Sequence, residues 1–159
     1  MSVDSVGRQM DDVLSKACDL IITFEGFKPK PYQNPGDRPT IGYGSTFYED
    51  YKPVTLQDSA IDWARARKIL EFFVQKSIDM VNSVVDVPLT MNQQIALASF
   101  EYNTGHLKGS TLLELLNAGQ VKLAANEFTR WIYAGGQISK GLILRRKKEQ
   151  QIFVTPDGQ

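Results

Sequence analysis

The chain contains a single cysteine and a single histidine in 159 residues, and each shortage excludes a class of chemistry. Because Cys18 stands alone, an intramolecular disulfide is impossible, and its apolar helical neighbours favour a buried small side chain over a nucleophile. Because His106 stands alone, a histidine-centred triad or a multi-histidine metal site is hard to build. Any catalysis by this chain therefore rests on other residue types.

Net charge is absent as well, since 18 Lys and Arg residues balance 18 Asp and Glu residues. This balance argues against a nucleic-acid binder that relies on a global basic field. A local basic run without an acid inside it remains near the end of the chain. It is either a solvated helix face or a surface for an anionic partner. The run consists of Lys140, Arg145, Arg146, Lys147 and Lys148.

Long apolar runs are missing too, because no window reaches the roughly 18 apolar residues that a membrane span needs. The opening residues, MSVDSVGRQMDD, are polar and acidic, unlike a secretion signal. We therefore expect a protein that accumulates in the cytoplasm without stable membrane insertion. Its 42% apolar and 23% charged residues are typical of one globular domain, which we expect to span residues 1–159.

The N-terminal third of the sequence predicts a helix followed by a hairpin. Apolar residues recur at three- and four-residue steps, which predicts an amphipathic helix. Ser2 or Asp4 is placed to cap the start of this helix, and Gly26 is placed to end it. The segment 28–48 carries four prolines and three glycines, a density that excludes a helix. Residues 40–43 alternate in polarity well enough to form a strand.

The rest of the sequence predicts helices. Thr55 followed by Asp58 predicts the start of a long helix that reaches about Asn82. We expect this helix to join a small N-terminal lobe, residues 20–60, to a larger helical lobe, residues 61–159. The predicted fold class is therefore α+β and mostly helical, with a short β-hairpin in the small lobe. Further helices are predicted from Thr90 and over about 110–117, 121–133 and 140–154.

Glu25 is the candidate catalytic acid, because it falls near the end of the first helix and opposite a polar hairpin. Cleaving an acetal between two sugars needs a proton on the leaving oxygen and a water or nucleophile on the other face of the ring. Asn34, Asp37 and Thr40 supply polar groups on the hairpin, and Tyr32 supplies part of an apolar surround. Taken alone, a Glu-Gly pair is more often an ordinary exposed glutamate before a helix-ending glycine.

The spacing of three residues carries a family resemblance. Eight residues separate Glu25 from Asn34, and five separate Asn34 from Thr40. This spacing resembles the glutamate, aspartate and threonine pattern of the phage-type lysozymes, the endolysins that cut bacterial peptidoglycan. The resemblance continues through later blocks in the same order and covers roughly residues 20–153. These blocks are PLTxNQ from Pro88, ALxSFxYNxG from Ala96, STLL and LNAG from Ser110, and EFxRW, AGG, GL and RRxxE from Glu127.

The resemblance implies a lysozyme-like fold in which the N-terminal helix packs on the larger lobe. It also implies hydrolysis of the β-1,4 bond between N-acetylmuramic acid and N-acetylglucosamine, with no metal or organic cofactor. Glu25 would be the general acid, Thr40 would help to position the attacking water, and the reaction would proceed with inversion. Tyr102 fits core packing equally well. The substrate-binding residues that the resemblance implies are Tyr32, Gly44, Thr46, Tyr102 and Asn103.

The sequence departs from the family pattern at Asn34, which stands where the family has aspartate or sometimes cysteine. A carboxamide can orient a water but cannot accept its proton, so the loss is on the order of 10²–10⁴ in rate. Three explanations remain open. The chain is an inactivated variant of an enzyme with aspartate here, or Asp37 has taken over as the base, or the protein works slowly without a second carboxylate.

The arginines of the basic run gain a second interpretation from the resemblance, because the last helix of this fold returns toward the cleft. Arg145 or Arg146 is then expected to pair with Glu25 and to hold the carboxylate in position. The alternative is that both arginines meet surface acids. Lys147 and Lys148 are expected to face solvent or the anionic cell wall.

Two functions compete at this point. The first is a monomeric endolysin that acts on peptidoglycan glycan strands, with no nucleic-acid partner. It would stay in the host cytoplasm until a separate holin releases it to the cell wall or periplasm. The second is a catalytically silent peptidoglycan-binding module of the same fold, which keeps the cleft but lacks the base. A helical scaffold without a glycan site is disfavoured by the glycine-rich hairpin.

Overall fold

The computed structural model describes residues 3–159, with side chains from Gly7 onward. The proposed caps at Ser2 and Asp4 lie outside the described side chains. The mostly helical α+β prediction is confirmed. The elements are α1 (Val3–Glu25), β1 (Lys28–Tyr32), β2 (Thr40–Gly42), α2 (Trp63–Val84), α3 (Met91–Thr104), α4 (Thr111–Asn117), α5 (Val121–Glu127), β3 (Tyr133–Ala134), β4 (Gln137–Ile138) and α6 (Lys140–Val154).

Helix α1 is amphipathic and packs its apolar face against α2 and α3. Cys18 and Ile21 on that face are completely buried. Burial raises the pKa of the Cys18 thiol to about 12, so this side chain behaves as a small apolar group. Gly26 ends the helix at a positive φ of 69°, and its N–H donates to the carbonyl of Ile22. The helix therefore stops with Glu25 as its last residue.

Helix α3 lies at the centre of the molecule, packed against α1, α2 and α6. Every residue from 95 to 101 is buried, so this helix is covered on all sides at its middle. One hydrophobic cluster fills the space between α1, α2 and α3, and a second lies among α3, α4, α5 and α6. The buried stretch ends in Glu101, a carboxylate at the end of an otherwise apolar and small-residue run.

Strands β1 and β2 form an antiparallel pair in which Tyr32 lies opposite Thr40. Their connection contains a turn at residues 34–37, closed by a 3.0 Å hydrogen bond from the Asp37 N–H to the Asn34 carbonyl. Proline at the second position and Gly36 at φ 80° in the third are typical of a type II turn. Asn34 and Asp37 therefore lie at the tip of the hairpin.

The predicted start of α2 at Thr55 is wrong, because the helix begins at Trp63 with Asp62 as its cap. Thr55 and Asp58 instead close a local turn. The Asp58 carboxylate accepts bonds from the Thr55 N–H at 2.9 Å, the Thr55 hydroxyl at 2.6 Å and the Tyr48 hydroxyl at 2.7 Å. A carboxylate with three such partners stabilises a loop rather than a helix start.

The predicted helix over 121–133 is also interrupted. Helix α5 ends at Glu127, a short 3-10 turn follows at Phe128–Arg130, and β3 and β4 then form a two-stranded hairpin. Gly135 and Gly136 both have positive φ, at 58° and 80°, as a two-residue hairpin turn requires. The adjacent glycines were the sequence signal for this turn.

Among residues 3–159, no helix has the length and apolar character to cross a bilayer.

Candidate active site

A cavity of about 510 Å³ lies between the end of α1, the loop after β2, and helices α2 and α3. This volume is in the range of small-molecule and sugar-binding sites. Five of the residues singled out from the sequence line it together. They are Glu25, Gly44, Thr46, Tyr102 and Asn103.

Glu25 reaches the cavity from the end of α1, with 29% of its side chain exposed. Its Oε1 accepts a hydrogen bond from Arg145 Nη1 at 3.0 Å. Its Oε2 lies against Gly44, where a Cβ atom would be only 2.6 Å away. The backbone of Gly44 also has a φ of 83°, a conformation that residues other than glycine rarely adopt. Glycine at this position therefore makes room for the carboxylate.

Arg145 is the arginine that contacts Glu25, and its own position is fixed from several sides. Its guanidinium donates to Glu149 Oε2 at 3.3 Å and to the Ser99 carbonyl at 3.3 Å. The same group lies 4.9 Å from the centroid of the Phe24 ring. Only 4% of the Arg145 side chain is exposed. The ion pair to Glu25 therefore comes from a cation with little freedom to move.

Arg146 points to a different part of the site. It is fully buried and donates to Glu149, to Asn103 and to the carbonyl of Trp131. Burial lowers the pKa of Arg146, and the charge of Glu149 opposes that shift. Glu149 accepts from both arginines and from the Ser99 hydroxyl, the last at 2.6 Å. The buried carboxylate of Glu149 thus connects Arg145, which contacts Glu25, to Arg146, which contacts Asn103.

Tyr102 lies beside Glu25 on the α3 wall of the cavity. Burial raises the pKa of its hydroxyl, and the negative charge of Glu25 adds to the shift. The ring also packs against the cluster between α1, α2 and α3. Tyr102 therefore both lines the cavity and contributes to the core.

Four other candidate residues lie on the β1–β2 hairpin and do not line this cavity. Asn34 and Asp37 are exposed at its tip, and Tyr32 and Thr40 are half-buried on its strands. The Thr40 hydroxyl donates to the Arg38 carbonyl at 2.9 Å. Burial raises the pKa of Tyr32, and the charges of Glu25 and Asp37 raise it further. Tyr32 therefore stands near both carboxylates.

Comparison with known proteins identifies the family of this chain. The sequence profile of the family described as Phage lysozyme matches residues 22–149. The chain belongs to the phage lysozyme family. It is 40% identical over 144 residues to the endolysin of Bacillus phage B103, covering 88% of this chain and 53% of that protein. It is 34% identical over 133 residues to the endolysin of Salmonella phage P22, covering 82% and 90%.

Solved structures show the same relationship. The endolysin from Escherichia coli O157:H7 phage FAHEc1 superposes with a TM-score of 0.80 at 33% identity, covering 87% of this chain and 90% of that one. A P22 lysozyme mutant superposes at 0.76 and 31% identity, covering 89% and 97%. The chain spans about half the length of the two Bacillus phage endolysins that it matches.

The sequence patterns assign no role to Ser99, Glu101 or Glu149. The spacing of Glu149 was the available signal, since it lies four residues after Arg145 and three after Arg146, on one helical face. For Glu101 the signal was an acid at the end of a run of buried residues. The side chains of residues 7–159 contain no cluster of three or more His, Cys, Asp or Glu that could hold a metal.

The basic run near the end of the chain divides into two parts on α6. Arg145 and Arg146 are buried, whereas Lys147 and Lys148 are exposed. The two interpretations of the run therefore apply to different residues. The arginines belong to the site, and the two lysines lie on a solvated face.

Proposed function

We propose that this chain is an endolysin-type muramidase that hydrolyses the β-1,4 bond between N-acetylmuramic acid and N-acetylglucosamine in peptidoglycan. The observation that carries the proposal is the Glu25 carboxylate, which opens into the cavity while Arg145 holds it from behind. The glycan would bind between a small lobe, residues 20–60, and a larger helical lobe, residues 61–159. Gly44, Thr46, Tyr102 and Asn103 would contact it in the cavity, and Tyr32 from the hairpin.

Glu25 acts as the general acid in this proposal, giving its proton to the leaving glycosidic oxygen. Arg145 bonds Oε1, so Oε2 is the oxygen left free for proton transfer. Oε2 lies against Gly44, and Gly44 lines the cavity. These contacts support Oε2 as the oxygen that transfers the proton.

Thr40 positions the attacking water. Because its hydroxyl donates its hydrogen to the Arg38 carbonyl, its lone pairs remain available as acceptors. A water that donates one hydrogen to Thr40 turns its own lone pair away from the threonine. The lone pair can then attack the sugar on the face opposite the leaving oxygen. Attack from that face gives inversion.

Asn34 and Asp37 are the two candidates for the remaining role at the water. Asn34 holds the family position, but an amide cannot accept a proton. Asp37 is one turn away at the same hairpin tip, and its charge reaches Tyr32 together with that of Glu25. We propose Asp37 as the base when the glycan closes on the hairpin, with Asn34 orienting the water.

The muramidase proposal is tested by the clearing of outer-membrane-permeabilised Gram-negative cells, followed as turbidity. Glu25→Gln keeps the size of the side chain and should reduce clearing by at least about 10²-fold, because the proton donor is lost. Glu114→Gln is the matched control, an exposed glutamate on α4 that should clear at the unmodified rate. Equal clearing by the Glu25 variant and the unmodified chain would remove Glu25 as the acid.

The assignment of the base is tested in the same assay. Asp37→Asn should lower clearing by about 10²-fold or more if Asp37 is the base. Asn34→Asp should then give only a small change. A large gain in Asn34→Asp together with an unchanged Asp37→Asn would instead place the missing carboxylate at residue 34.

The silent binding module is the second candidate function, favoured by the amide at Asn34. It predicts that the unmodified chain binds purified sacculi without clearing cells. For the enzyme, we propose a monomer that reaches the wall from the host cytoplasm through a separate holin. The cell wall is the site of action in either case.

A further inference from the structure

The cavity contains a second carboxylate, Glu101, that no step of the proposed hydrolysis uses. It lies on α3 with 8% of its surface exposed, and it lines the same cavity as Glu25. Its Oε2 is buried and makes no hydrogen bond to any group in the described part of the chain. A buried carboxylate oxygen without a partner is unusual in a folded protein.

Glu101 differs from the other buried charged side chains of residues 7–159, because one of its oxygens has no hydrogen-bond partner. Arg145, Arg146 and Glu149 are buried as well, and each makes several hydrogen bonds with the others or with neighbours. Leaving a buried polar group unpaired destabilises the fold. The sequence therefore retains at Glu101 a carboxylate with one oxygen, Oε2, that the folded chain leaves unpaired.

The surroundings of Glu101 offer little positive charge. Burial raises its pKa, and the Leu107 N–H and the His106 ring offset only part of the shift. Lys76 lines the same cavity, but among the described residues it forms no ion pair with Glu101. Its ammonium lies 5.1 Å from the centroid of the Phe72 ring. The carboxylate therefore lines the cavity without a cationic partner, and a small rotation of the side chain would turn Oε2 toward a bound molecule.

We propose that Glu101 binds the substrate by accepting a hydrogen bond from the nitrogen on C2 of a sugar in the cavity. The choice of this group rests on the proposed function, since both sugars of peptidoglycan carry nitrogen at C2. That nitrogen is an amide N–H in the acetylated sugar and an ammonium where the acetyl group has been removed. Glu101 would thus be a specificity residue for 2-amino sugars and would tolerate the loss of the acetyl group.

The test measures affinity without hydrolysis, in chains that carry Glu25→Gln. The probes are a β-1,4-linked tetramer of N-acetylglucosamine and its de-N-acetylated counterpart, at a pH low enough to protonate the free amine but above the folded-state pKa of Glu101. Adding Glu101→Gln should raise the Kd for the acetylated tetramer about tenfold, the effect of losing one hydrogen bond to a charged acceptor. The loss should be larger for the ammonium form, since opposite charges strengthen the bond. Adding Glu114→Gln should change neither Kd.

Stability provides the second measurement. Because Glu101 Oε2 has no partner in the chain, Glu101→Gln should melt at or above the temperature of its parent. A Kd within twofold of the parent for both tetramers would overturn the proposal. An equal loss for the two tetramers, or a lower melting temperature, would do the same, because Glu101 would then act elsewhere or support the fold. Failure of the unmodified chain to clear cells would count against the muramidase alone, since these affinities do not depend on hydrolysis.

Discussion

The surroundings of Glu25 and the tip of the β1–β2 hairpin are built in different ways. Glu25 is held by Arg145, which is itself bonded to Glu149 and Ser99 in the buried interior. The hairpin tip at 34–37 is exposed and is closed by one backbone hydrogen bond and by the Gln33 side-chain amide, which donates to the Asp37 carbonyl at 2.7 Å. The proposed acid thus occupies a preorganised position, whereas the proposed base sits on an element that can adjust to the substrate.

This difference bears on the asparagine at position 34. A residue in the buried network is constrained by the partners it would leave unpaired. The Asn34 side chain is exposed at the hairpin tip, where the turn constrains mainly the backbone. An asparagine at position 34 is therefore compatible with an unchanged fold, even though it alters the chemistry that the tip can supply.

The largest effect is expected when the Glu149 carboxylate, which Arg145 and Arg146 share, is removed. Glu149→Gln leaves two buried arginines facing an uncharged amide, so we expect a loss of about 3–5 kcal/mol in the free energy of unfolding. Urea denaturation measures it, with Glu114→Gln as the exposed control, expected within about 0.5 kcal/mol of the unmodified chain. A loss below about 1 kcal/mol would mean that the network does not fix Arg145.

A smaller change tests the contact between Glu25 and the loop after β2. Gly44→Ala adds a Cβ that would lie 2.6 Å from Glu25 Oε2, so the carboxylate must move. We expect clearing to fall about tenfold to a hundredfold and stability to fall by about 1–2 kcal/mol.

The matched control for this change is Gly119→Ala. Gly119 has a similar φ of 79°, but an added Cβ would meet no atom within 4 Å. Both variants should lose similar stability, and only Gly44→Ala should lose activity. Equal activity losses would assign the effect to backbone strain alone.

The pH dependence of stability tests the effect of burying Glu101 in the cavity. Burial raises the pKa of Glu101 above its ordinary value of 4.5, so the folded state holds its proton more tightly than the unfolded state. The contribution of Glu101 to the free energy of unfolding is therefore complete below its ordinary pKa and is lost as the pH rises through its folded-state pKa. Glu101→Gln should raise the melting temperature relative to the unmodified chain at neutral pH, and the gap should close on acidification. A constant gap from acidic to neutral pH would contradict this assignment.

The smallest effect is expected at the hairpin tip. Pro35→Ala removes a residue that restricts the unfolded chain at the second position of the turn, so stability should fall by less than about 1 kcal/mol. Urea denaturation checks this value against the Glu149 result. A loss as large as that of Glu149→Gln would show that the tip is as tightly constrained as the buried side.

Local patterns were enough to predict the end of α1 and the hairpin, because each depends on short-range rules for glycine, proline and helical periodicity. The residues that line the cavity with Glu25 came instead from the family resemblance. The choice between Arg145 and Arg146 could not be predicted. They are neighbours in sequence, and which one faces α1 depends on how α6 is rotated against α3. The start of α2 was wrongly predicted at Thr55, because the bonds that the Asp58 carboxylate accepts from Thr55 and Tyr48 form only in the folded loop.

The ion pair between Glu25 and Arg145 joins residues 120 positions apart. During translation the acid leaves the ribosome long before its guanidinium partner is made. The Glu25 carboxylate can accept this hydrogen bond only once α6 has been made and has packed against α3. The orientation of the proposed proton donor is thus coupled to the docking of α6.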